Sequence, residues 1–238
     1  EADFGEYSVI PALTGVEVYA PEASSAVVIG DSTLANDIPI LLAEKLQNAG
    51  ITNVGILQQA IKGNRLLDDG AGILGMAYGE AMVDRFERDA LNQPGVERIF
   101  LKVGVNDVVH PNCESLKDEA RAVTAEEMIA GYKQLIEQAH ERGIEVYLFT
   151  RTAWKGYTRN VLGSDDVQWT PEIDQMRQDI NAWIRSSDNP ADGYIDLDFM
   201  CTDETASELK SEYTTDGAHF TALGQQTVVD AIPLEYFQ

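Results

Sequence analysis

Basic residues are scarce in this sequence: 17 Lys and Arg stand against 40 Asp and Glu, a formal net charge of −23. A surface of that sign repels phosphate backbones and anionic membranes, whose contacts need Lys and Arg, and so argues against nucleic acid as a partner. The acids are spread along the chain rather than gathered in a tail, which fits a solvated acidic face and equally fits salt adaptation. No apolar run approaches the ~20 residues of a membrane span. Only three histidines and two cysteines are present, without zinc-ligand spacing, so neither a metal nor an organic cofactor is expected. Cys113 and Cys201 allow one disulfide or two buried thiols. No P-loop or G-x-G-x-x-G fingerprint occurs, which counts against a phosphate-binding module. The chain opens at Glu1 without Met or a signal-like segment, as a processed or shortened form would.

What is present is alternation. The 238 residues, 44% of them hydrophobic, suffice for one α/β domain. Five short β-rich runs stand out at 24–29, 53–58, 98–103, 145–150 and 194–199. Most are close to continuously apolar, as suits parallel strands covered on both faces. Helical patterns separate them over 35–48, 81–93, 124–143 and 170–187, with a last one at 221–231. Thr124 with Glu127 reads as a capping box, and Thr170-Pro171 as a cap followed by proline at the first helical position. Five strand–helix alternations predict a three-layer α/β/α domain on a doubly wound parallel five-stranded sheet. Residues 24–238 form that domain. Residues 1–23, with a β-like run at 16–20, are expected to be an edge extension, a linker or the remnant of an upstream β module.

Ligands in such folds bind beyond the carboxyl ends of the strands. Three of those ends carry reactive-looking loops: "GDS" (30–32), "KGN" (62–64) and "GVND" (104–107). Ser32 is either turn filler or a nucleophile, and a nucleophile needs a base with an orienting partner. His140 lies within a helix, where it caps or is solvated. His110 follows the third strand and is a candidate substrate contact. His219 sits in "DGAH", three residues after Asp216, so one turn presents both side chains together. Donors for an oxyanion are the N–H of Ser32, the N–H of Gly63 and the side-chain amide of Asn106. Singly, each motif is an ordinary turn signal. All of them on strand-end loops, in one consistent order, is not what chance supplies.

These blocks resemble the SGNH (GDSL-type) hydrolase superfamily: "VVIGDS", "AIKGNRLL", "GVND" and "DGAH" are similar to its four motif blocks. The likeness extends over roughly residues 8 to 233 and looks like a subgroup of secreted bacterial and fungal esterases. It implies a flavodoxin-like SGNH hydrolase fold, secretion, and an upstream β module joined through a segment like "LTGVEVYAPEA". It further implies Ser32 as nucleophile, His219 as base, Asp216 as its partner, and Ser32, Gly63 and Asn106 as the oxyanion hole. One departure lies at Thr33, where relatives usually continue "GDSI" or "GDSL"; it bears on substrate preference more than on chemistry.

Further candidates for substrate contact are Asp31, Asn64, Arg65, Asp107, His110 and Trp154. For Arg65 a structural ion pair is the competing reading, and for Asp31 and Asp107 loop hydrogen bonds. The glycine-rich stretch 68–80 reads as a lid or as a packed loop. Aromatics of 152–160 and Trp169 would suit a sugar ring if exposed, and otherwise pack a long loop. The expected function is a serine esterase for short acyl groups, acetyl foremost, on a carbohydrate. The alternatives are a lipolytic esterase or lysophospholipase, and a hydrolase fold that binds carbohydrate without turnover.

Overall fold

A computed structural model describes residues 16–72, 75–114, 116–161 and 164–238. The strands are β1 (Ser24–Gly30), β2 (Val54–Gln58), β3 (Val96–Lys102), β4 (Glu145–Phe149), β5 (Thr158–Val161), β6 (Ser164–Val167) and β7 (Gly193–Ile195). The α-helices are α1 (Ile38–Asn48), α2 (Gly75–Tyr78), α3 (Met82–Phe86), α4 (Val105–Val109), α5 (Ala125–His140), α6 (Pro171–Ile184), α7 (Leu197–Cys201) and α8 (Ala222–Ala231). Five strands form one parallel sheet in the order β2-β1-β3-β4-β7, and β5 with β6 makes a separate antiparallel hairpin.

Each central strand buries both faces, and alternate residues go to opposite layers. Val27, Ile29, Ile99 and Leu101 join a core formed with α3, α5 and α6. Ala26, Val28 and Phe100 join a second core with α1 and α8. That two-sided burial is why the strands read as continuous apolar runs rather than as alternation. The helices start as their sequences direct: Thr124 completes a capping box with Glu127, and Thr170 caps α6 ahead of Pro171.

Four boundaries differ from expectation. The first helix begins at Ile38 rather than at 35, because residues 31–37 form turns in which Leu34 and Ala35 both donate to the Asp31 carbonyl. The last sheet strand stops at Ile195, since the Asp196 carboxylate accepts from Phe199 N–H and caps α7. The segment 81–93 divides into α3 and a π-helical turn, Glu87–Leu91. The β-like run 16–20 has no regular structure and adds no strand to the sheet, while residues 1–15 lie outside the described residues. Cys113 and Cys201 are both fully buried and are not bridged to one another.

Phe100 sits in the middle strand of the sheet, fully buried, its ring stacked at 5.2 Å between centroids on Tyr147 and on Phe237. Replacing it with Ala removes that packing and leaves a cavity. Phe100→Ala should lower the unfolding free energy in a urea titration by about 3–5 kcal/mol.

Candidate active site

The strand order places β1 between β2 and β3, so the connections leaving β1 and β3 diverge and open a crevice above their carboxyl ends. Ser32 hangs from the β1 end of that crevice and Asn106 from the β3 end, on α4. Ser32 Oγ lies 2.9 Å from His219 Nε2, and His219 Nδ1 lies 2.6 Å from Asp216 Oδ2. A carboxylate only accepts, so Nδ1 carries the hydrogen, and Nε2 is left with the lone pair that faces the serine hydroxyl. The "DGAH" turn holds its own shape. Asp216 Oδ1 accepts from the N–H groups of Ala218 (2.9 Å) and His219 (2.8 Å), and Gly217 N–H donates to Thr214 Oγ1. Partial burial pushes the Asp216 carboxyl upward, but its bonds from His219 and Ala218 outweigh this and hold it below the usual carboxylate range.

Opposite this turn stands a wall of donors. Gly63 adopts φ +82°, and a Cβ there would lie 2.1 Å from the Tyr78 ring, so both backbone and space require glycine. Asn106 Nδ2 donates to the Asn64 carbonyl at 3.0 Å, which fixes the amide plane and leaves its second N–H to the cavity. Gly104, at φ +111°, turns β3 into α4; its carbonyl accepts from Arg151 Nη2, and Tyr132 Oη donates to the neighbouring Val103 carbonyl. Asp107 is fully buried and accepts from Leu66 N–H (2.7 Å) and Leu67 N–H (3.0 Å), tying α4 to the loop that follows Gly63. Burial pushes its pKa up to about 6 against those two bonds.

The cavity between the walls measures about 360 Å³ and is lined by Ser32, Gly63, Asn106 and His219 together with Tyr78 and Tyr157. Of the other candidates, Asp31 faces the cavity, with Oδ1 bound to Thr33. Trp154 also reaches the wall, but at 1% exposure and with its indole N–H on the Gln168 carbonyl it is packing rather than an exposed platform. Asn64, Arg65, Asp107 and His110 stand outside the lining. The Asn64 side chain donates to the Tyr78 and Glu80 carbonyls and accepts from Arg85. Arg65 pairs with Asp68, and the buried His110 ring tilts against Tyr78 at 5.2 Å. Trp169 is half-buried beneath the Lys155 ammonium. The candidate lid includes residues 73–74, which lie outside the described residues. His140, as its helix-end position suggests, pairs with Asp192 away from the cavity.

Sequence reasoning alone misses the buried cations. Arg85 bonds Asn64 Oδ1 and the carbonyls of Gln59 and Gly30, joining the β1, β2 and Gly63 loops at one guanidinium. Lys102 and Arg151 line the cavity floor, 4% and 3% exposed. For these two a signal exists, because each sits at or just past the end of an otherwise apolar strand.

Comparison with known proteins agrees with this architecture. No curated protein sequence matches the chain. An acetyl xylan esterase, AlAXEase, superposes with a TM-score of 0.61 at 22% identity, over 87% of this chain and 96% of that one. A single-residue variant of Axe2, an acetyl xylan esterase from Geobacillus stearothermophilus, gives 0.63 at 15%, over 88% and 93%. A GDSL-like lipase from Bacteroides thetaiotaomicron gives 0.57 at 16%, over 91% and 88%. At such identities the superpositions establish a shared fold. The model of the GDSL-like lipase/acylhydrolase family matches residues 26–227, a span that runs from β1 into α8 and takes in every loop of the site. With that match the chain belongs to the GDSL-like lipase/acylhydrolase family and is a carboxylic ester hydrolase.

Proposed function

We propose that this chain removes short acyl groups, acetyl foremost, from a carbohydrate through an acyl-enzyme on Ser32. The observation that carries the reading is the continuous chain from Ser32 Oγ through His219 to Asp216, set across a small cavity from the tethered Asn106 amide. In the first half-reaction His219 Nε2 takes the hydroxyl proton as Oγ bonds to the ester carbonyl carbon. The carbonyl oxygen becomes an anion held by the N–H groups of Ser32 and Gly63 and by the Asn106 amide. His219 then gives its proton to the leaving alcohol oxygen as the C–O bond breaks. Water repeats the sequence on the acyl-enzyme and frees the acid and the serine. Asp216, kept ionised, holds the ring in its tautomer and steadies the imidazolium that forms.

A short acyl group suits a cavity of about 360 Å³ that must also admit part of the alcohol. A sugar is favoured by the half-buried Tyr157, whose ring meets His219 edge-on at 5.7 Å, and by the two acetyl xylan esterases that share the fold. The same reading takes residues 24–238 as the catalytic domain of a secreted protein, with residues 1–23 as its linker to an upstream module.

Hydrolysis of p-nitrophenyl acetate and longer acyl homologues tests this directly. Activity should fall with acyl length and vanish in Ser32→Ala, with the wild-type serine labelled by an organophosphonate. A preference for long chains would move the function to lipolysis, and an unreactive Ser32 would favour carbohydrate binding without turnover. Removing one oxyanion donor gives a second measure. Asn106→Ala should lower kcat by about 10²–10³-fold while KM changes little, because the amide acts on the transition state rather than on the bound ester.

A further inference from the structure

The mechanism leaves unexplained a buried carboxylate next to the nucleophile. Asp31 immediately precedes Ser32, lines the cavity and is 1% exposed. Its Oδ1 accepts from Thr33 N–H at 2.9 Å and from Thr33 Oγ1 at 2.7 Å, which closes the turn that presents Ser32. The same carboxylate opposes the reaction, since in a water-poor site its charge repels the anion that forms on the ester oxygen. Lys102, the last residue of β3, reaches across from the neighbouring strand, and its Nζ donates to Thr33 Oγ1 at 2.8 Å. The Thr33 hydroxyl thus gives its hydrogen to Asp31 and accepts one from Lys102. An aliphatic residue at position 33 could do neither.

We infer that Lys102 is a positioning residue of the esterase site: through the Thr33 hydroxyl it cancels the charge of Asp31, so the carboxylate can close the Ser32 turn without repelling the oxyanion. This rests on the ester-hydrolysis reading of Ser32 and deepens it. Among the described hydrogen bonds, Lys102 is the cation joined to Asp31 through a shared hydroxyl. Burial holds the Lys102 ammonium below its usual range, Asp31 works to raise it, and the Arg151 charge lowers it further. The Cys201 thiol of α7 is pushed up to about 11 by burial and is neutral. Tyr132 of α5 is raised by burial and neutral too. Arg151, beyond β4, is a second cation lining the cavity; it donates to the Gly104 carbonyl and the Met128 sulfur, whereas Lys102 donates to the hydroxyl that Asp31 binds.

The test is a charge cycle read on p-nitrophenyl acetate. Lys102→Met should lower kcat by about tenfold to a hundredfold with KM within about twofold, because only the charged transition state senses the uncompensated carboxylate. Asp31→Asn keeps an oxygen acceptor for Thr33 and supplies the kcat against which the double variant is read. Adding Asp31→Asn to Lys102→Met should restore most of the lost kcat, which a purely structural lysine would not allow. Lys102→Met with wild-type kcat overturns the inference. So does a double variant as slow as the single one while unfolding at the wild-type temperature. Should Lys102→Met fail to fold, the double variant against Asp31→Asn alone decides: near-equal kcat supports the charge balance, and a large further loss refutes it. A wild type that hydrolyses no ester would instead remove the esterase reading itself.

Discussion

The parallel pairing of β1 with β3 is the constraint on which the site depends. Ile29 lies opposite Leu101 and Gly30 opposite Lys102, and the pairing continues one residue further as Asp31 N–H donates to the Lys102 carbonyl. Because the chain leaves β1 towards β2 on one side and leaves β3 towards β4 on the other, the two connections diverge above this pair. The crevice so left is bounded by the Ser32 turn and the Asn106 helix, and its depth is set by strand register rather than by loop conformation. A one-residue slip would turn every β1 side chain to the other face and exchange the two cores. Nucleophile placement and core packing are therefore one specification.

Charge is handled in an unusual division between inside and outside. Six of the 17 cations are buried (Arg65, Arg85, Arg98, Lys102, Arg151 and Arg177), whereas Asp31, Asp107 and Asp174 are the buried acids among the described residues. The exterior is thus more acidic than the composition alone conveys. The buried guanidinium groups act as multidentate clamps on backbone carbonyls and carboxylates: Arg85 holds three loops, and Arg177 binds Asp174, Asp198 and the Ala206 carbonyl. Arginine suits this use because its fork of donors satisfies several acceptors at once and it is less strongly hydrated than an ammonium. Lysine at position 102 meets a narrower demand, a point charge directed at one hydroxyl.

Legibility in the sequence follows the range of the interaction that decides each feature. The sheet strands are visible as apolar runs because both their faces are buried, and α5 and α6 because Thr124 and Thr170 cap them within three residues. The four site loops are visible because alternation alone puts three of them at strand ends and "DGAH" beside the last helix. Features decided by distant partners are not visible. Two local features are hidden as well, the late start of α1, set by turns that wrap the Asp31 carbonyl, and the short β7, cut off by the Asp196 cap. The β5–β6 hairpin lacks an apolar run to announce it. Trp154 reads from sequence as either a sugar platform or loop packing, and the second is what forms: the Gln168 carbonyl takes its indole N–H and the core takes its ring. Asn64 looks like a substrate contact from its place beside Gly63, while Arg65 reads as either a contact or a structural ion pair. Their partners, Arg85 and Asp68, turn both side chains into the scaffold.

The two halves of the site are built on opposite principles, and the difference has a physical reason. The oxyanion side is buried and held by long-range bonds from Arg85, Asp107, Tyr132 and Arg151, as a preorganised set of dipoles must be if it is not to relax towards the ground state. The base side is a half-exposed turn 187 residues from Ser32, and its geometry is almost wholly local: Asp216 shapes the backbone with one oxygen and the imidazole with the other. A turn that carries its own geometry needs only to be docked. Ala218, buried in the core, and the Tyr157 ring edge-on to His219 supply that docking. The base can therefore come from the far end of the chain without a dedicated framework, while the donors, which have no such local solution, take up most of the buried polar groups around the crevice.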